Sequence, residues 1–92
     1  MKTKNLETVT INWLEPQILQ KSLINGILNL TLQDPKNHII YEVIISKIGN
    51  NHYRYEDVGM FVRFFSDLDC LLWEFELPRD LKNTIEELPI VK

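Results

Sequence analysis

The stretch "ILNLTLQDPKNHIIYEVIISKI", residues 27–48, constrains the fold more than any other part of the chain. In it Leu28, Leu30 and Leu32 alternate with Asn29, Thr31 and Gln33. A period of two places one set on each side of a pleated strand. "DPKN" then supplies Asp at the first and Pro at the second position of a type I turn, and "HIIYEVIISKI" follows as a second, more apolar strand. An antiparallel hairpin is therefore the seed of the fold, and every other segment has to be fitted to it.

Upstream, "TVTINW" alternates Val9, Ile11 and Trp13 with Thr8, Thr10 and Asn12 and predicts a first strand. "PQILQKSLIN" predicts a helix of about ten residues. Pro16 suits its first turn, Leu19 and Leu23 stand at i and i+4 beside Ile18 and Ile24, and Gly26 follows as a C-terminal stop. Downstream, "GNN" marks a second turn, and "YRYEDVGMFVRFF" predicts a strand bent or bulged near Asp57 and Gly59.

"CLLWEFELP", residues 70–78, fits two periods. Leu68, Leu71, Leu72 and Phe75 share one face of a helix, whereas Leu71, Trp73, Phe75 and Leu77 share one face of a strand. Loops at 34–37, 50–51 and 66–69 would set Leu30 opposite Tyr41, Val43 opposite Val58 and Val62 opposite Trp73. One sheet face then collects Leu28, Leu30, Leu32, Ile39, Tyr41, Val43, Ile45, Val58, Met60, Val62, Phe64, Leu71, Trp73, Phe75 and Leu77, with no charge among them. A slip of one residue in any pairing would bring Asn29, Glu42, Arg63 or Glu74 into the core. The strand reading follows. "RDLKNTIEELP" closes the chain as a short helix with Leu81, Ile85 and Leu88 on one side. The expected fold class is α+β: a four-stranded antiparallel meander plus an N-terminal strand, with one face covered by two short helices.

At 92 residues, 45% apolar and 25% charged, the chain is expected to fold as a single domain, 1–92. Its one cysteine, Cys70, has no intrachain partner, and "MKTKNLETVT" lacks the apolar run of a signal peptide. No apolar run approaches the ~20 residues that span a bilayer. The expectation is a cytoplasmic protein with no membrane segment. Residues 1–55 carry six Lys/Arg against four Asp/Glu, and 56–92 carry four against nine. An acidic second part is poorly suited to phosphate backbones and better matched to a basic protein.

The same register gives the opposite sheet face Ile40, Ile44, Phe61, Phe65 and Leu72 as an apolar patch, edged by Glu42, Arg63, Glu74 and Glu76. With both helices used on the first face, such a patch has the look of a protein interface. Burial by the N-terminal residues or by a helix crossing over is the competing, purely structural reading. The nine residues are the candidate protein-binding site, for a different protein or for a second copy in a homodimer. Arg63 with Glu74 reads as a surface ion pair.

The sequence holds no glycine-rich phosphate loop, no H-E-x-x-H and no C-x-x-C. His38 and His52 fall at turns, and one Cys with two distant His does not make a zinc site. Cys70 with His52 is the one conceivable nucleophile and base, but Asp67 and Asp69 oppose a thiolate. Exposed Phe61 and Phe65 near Tyr53, Arg54 and Tyr55 resemble a base-stacking platform, yet Glu42, Glu74 and Glu76 would repel phosphates. The function expected is that of a small non-enzymatic protein-binding domain: an inhibitor, immunity or anti-defence protein, regulator or accessory subunit. It would need no catalytic residue, cofactor or metal, and would bind neither nucleic acid nor membrane. The rivals are a small enzyme or ligand-binding domain with its site between helix and sheet, and a homodimeric structural protein.

Overall fold

The computed structural model describes residues 15–91. Five strands, β1 (Gln17–Ile24), β2 (Ile27–Gln33), β3 (Ile40–Gly49), β4 (His52–Asp57) and β5 (Phe61–Phe65), form one antiparallel sheet in sequence order. Two short helices, α1 (Leu68–Glu74) and α2 (Leu81–Glu86), follow and pack on one of its faces. The α+β class and the antiparallel meander under two helices are as expected, but two segments exchange roles. The strand expected in "TVTINW" lies outside the described residues.

The segment expected to be the first helix is β1. Asn25 and Gly26 both have positive φ, 53° and 78°, and Ile24 pairs directly with Ile27. Asn-Gly in that conformation is a tight two-residue hairpin turn, so Gly26 reverses a strand instead of ending a helix. A Cβ on Gly26 would also lie 2.7 Å from Pro89 Cγ. The helical look of Leu19 and Leu23 comes from a bulge: between Ile18 and Gln20 the register shifts, leaving Leu19 as the extra residue. The bulge hides the period of two.

Between β2 and β3 the pairing is Leu30 with Val43 and Leu32 with Tyr41, two residues away from the expected register. An even slip keeps every side chain on its face. Leu28, Leu30, Leu32, Val43 and Ile45 are accordingly in the core as expected. The loop is longer than a four-residue turn: the Asp34 amide donates to the Ile39 carbonyl, and the Asp34 carboxylate accepts from the Lys36 and Asn37 amides.

The slip between β3 and β4 is odd and has larger consequences. Gly49 pairs with His52 as the Asn50–Asn51 turn requires, but a bulge between Lys47 and Gly49 then sets Ile45 opposite Tyr55 and Val43 opposite Asp57. Tyr53 and Tyr55 therefore enter the core, while Val58 and Met60, expected there, are exposed. The chain then reverses at 57–60, where the Met60 amide donates to the Asp57 carbonyl and Gly59 takes φ 85°. What was expected as one bent strand is the β4–β5 hairpin. Val62 and Phe64 are exposed on edge strand β5, not buried.

Residues 68–74 are helical and 75–77 form the closing turn of that helix, which corrects the strand expected there. Asp67 caps it through a carboxylate that accepts the Asp69 amide at 2.8 Å. At the other end Leu77 N–H donates to the Leu72 carbonyl and Glu76 N–H to that of Trp73, with Glu76 at φ 53°. This is a complete Schellman closure, with Leu72 and Leu77 buried together as its apolar clasp. Leu68, Leu71 and Leu72 face the sheet and Trp73 points away, 68% exposed. Helix α2 has the predicted contacts: Leu81, Ile85 and Leu88 are buried. Its last turn is tied to β3 by Lys47 Nζ, which donates to the Glu86 carbonyl, and the Val91 amide donates to the Lys47 carbonyl.

Candidate functional site

Directly paired residues share a sheet face, so the register sorts the nine candidate residues. Ile40, Glu42 and Ile44 stand on the face of β3 that points away from the helices, as expected. Phe61, Arg63 and Phe65 pair with Asp57, Tyr55 and Tyr53 and so lie on the helix side. Leu72 is fully buried beneath α1, Glu74 is on the exposed side of α1, and Glu76 is the residue of the helix stop. The nine do not form one patch. The odd slip after β3 moves Phe61, Arg63 and Phe65 to the helix side, and α1 with its closing turn takes Leu72, Glu74 and Glu76 out of the sheet.

Arg63 and Glu74 do meet, with Nη1 3.3 Å from Oε2 and both side chains close to half exposed. Such a pair contributes ~1 kcal/mol or less. Beside it lies an aromatic cluster. Phe75 stacks on Tyr55 with centroids 3.8 Å apart, Phe61 lies 6.0 Å from Phe75, and Phe65 meets Phe75 edge-on at 5.7 Å. Phe75 comes from the residue that caps α1, so the helix stop is what lays this ring on the sheet.

Where the β2–β3 loop and the β4–β5 turn come together, the end of the sheet forms an open cleft of about 690 Å³. Tyr41, Tyr55 and Phe75 line it, and Ile39, Ile40, Val58 and Met60 are its apolar walls. Ile39, Ile40 and Met60 are 59%, 58% and 76% exposed. Asp34, Glu42 and Asp57 are its charged residues, and no Lys or Arg is among the residues that line it. Of the predicted site, Ile40 and Glu42 belong here. Tyr55, Val58, Met60, Asp57 and Phe75 were not anticipated in it. The signal that could have found Val58 and Met60 is the glycine in "DVGM", which marks a turn between them.

The acidic character acts on its neighbours. The Tyr41 hydroxyl is pushed above its usual range by burial, and further by Asp34, Asp57 and Glu76. Tyr55 is raised chiefly by burial, then by Tyr41 and Asp57. Asp57 itself is raised by burial. Cys70 is exposed on α1, and its thiol is raised, first by the charge of Asp67, which disfavours the thiolate. His52 Nδ1 lies 2.7 Å from the Asn50 carbonyl, and His38 holds a turn at φ 63°. Among the described residues, no three His, Cys, Asp or Glu side chains are placed to share a metal ion, and no helix is long and apolar enough to cross a membrane.

Comparison with known proteins found no matching family model, no matching curated protein and no matching solved structure.

Proposed function

We propose that the chain is a small protein-binding domain, of the inhibitor, immunity, regulator or accessory-subunit kind, that works without chemistry of its own in the cytoplasm. One observation carries this reading: Ile39, Ile40, Val58 and Met60 stand exposed around one cleft with carboxylates beside them. Apolar side chains at a turn contribute nothing to folding when they stay in water, and a compact exposed group of them with a polar rim is the usual form of a docking surface. A second reading has some support, since the cleft's volume falls in the range of small-molecule sites. Against it, its apolar walls are largely open to solvent, whereas small-molecule sites bury most of their ligand.

The test is mass and composition. The chain is recovered under native conditions from its own cells, companions are identified, and the complex is rebuilt from purified parts and weighed by light scattering. Leu72 is unsuitable as a probe of the surface because it is core. Ile40→Asp with Met60→Asp is expected to leave circular dichroism and melting unchanged and to abolish the complex. A double variant that still assembles, or a wild-type chain that remains a monomer with no companion, overturns the proposal. A concentration-dependent dimer lost in the same variant would make the partner a second copy.

A further inference from the structure

We infer that the cleft is a receptor for a cationic side chain, arginine or lysine, which the partner presents beside an apolar residue. The inference rests on the protein-binding reading above and names what the surface selects. Three features converge. Tyr41 and Phe75 are among the residues that line the cleft, Asp34, Glu42 and Asp57 are its charged lining residues, and no basic residue lines it. Aromatic faces attract cations through the ring quadrupole, and do so more strongly where water is partly excluded. A guanidinium or ammonium on an aliphatic stem matches a cleft of this kind, because the stem packs on apolar walls while the head meets carboxylates.

The two arginines of β4 and β5 are committed elsewhere. Arg63 is held by Glu74, and Arg54 by Glu56 at 3.0 Å. Asp57 makes no ion pair or side-chain hydrogen bond among the described residues, although burial works against its charge. Asp34 accepts two amides of its own turn through one carboxylate oxygen, Oδ1. An anionic partner has no counterpart here, and an uncharged one would leave Asp57 desolvated without compensation.

The experiment uses the full chain, ¹⁵N-labelled, titrated with N-acetyl-arginine amide, N-acetyl-lysine amide and the neutral N-acetyl-citrulline amide. The two cations are expected to shift the amides of residues 39–42 and 57–60, and citrulline at equal concentration to leave them in place. Raising salt toward ~0.5 M should weaken the response by screening. Asp57→Asn should weaken cation binding about threefold, and Glu42→Gln provides the same reading should Asn at 57 disturb the turn. Equal shifts with citrulline, or shifts confined to other residues, or none at all, overturn the inference. A cation response together with an Ile40→Asp, Met60→Asp variant that keeps its complex would overturn the protein-binding reading alone. Loss of that complex without any cation response would overturn this inference alone.

Discussion

At Glu76 the backbone takes φ 53°, a conformation an L residue resists because Cβ crowds the carbonyl oxygen. Helices that end in this way generally use glycine, and the same sequence position with Gly would have marked α1 as a helix. Glu76→Gly is expected to raise unfolding free energy by about 1 kcal/mol in urea titrations. A variant no more stable than the wild type would mean that Glu76 makes compensating contacts. Asp57 is the second residue held against its preference. Burial raises its folded-state value, so the unfolded chain ionises first as pH rises from the acid side, and stability is lost through that window. Above it the penalty is constant. Asp57→Asn is therefore expected to melt higher than wild type at pH 7, with the gain gone below about pH 3, where both states of the wild type are protonated. A gain that persists in acid would have another origin. Stability sacrificed at one carboxylate is what a site that needs its charge would show.

At the scale of elements, α1 and β1 are the parts that sequence reasoning assigned to the wrong structure, and for α1 the reason is physical. "LDCLLWEFELP" satisfies both periods, and the deciding contacts are long-range: Leu71 and Leu72 are buried in a core shared with Leu28, Leu30, Val43, Ile45, Tyr53 and Tyr55 of the sheet. Leu72→Ala is expected to cost about 2–5 kcal/mol in urea unfolding, whereas Trp73→Ser should change it by no more than about 0.5 kcal/mol. On the strand reading the order would be reversed, because Trp73 would be core and Leu72 would face solvent. Helix α2 was legible because Leu81, Ile85 and Leu88 keep a single period with no strand-like competitor. Strand β1 was illegible for the opposite reason, since one extra residue at Leu19 converted an alternation into an apparent helical pair.

For the molecule as a whole, the legible part was the hairpin of β2 and β3 and the layering of helices on one sheet face. Both follow from period and burial. The site was less legible because it depends on parity: the bulge near Ile48 turned Tyr53 and Tyr55 inward and sent Val58 and Met60 to the surface. Ile40 and Glu42 stayed in the candidate surface because they precede that bulge. The Arg63–Glu74 pair was anticipated as a cross-strand contact and occurs as a strand-to-helix one.

Edge strand β5 brings a cost that belongs to the crowded cell and not to the isolated fold. Among the described residues no strand pairs with the outer side of β5. An edge displays unpaired amides and carbonyls, and this one reads Phe-Val-Arg-Phe-Phe with most of its side chains in water. Such a strand is a template for its own sequence, and Arg63 is the single gatekeeper charge along it. Phe75 at the end of α1 packs on Phe61 and Phe65, so local fraying of α1 would bare those two rings and leave Arg63 alone to guard the edge. A chain that begins to unfold at that short helix would offer the bared strand to its neighbours before it finished unfolding.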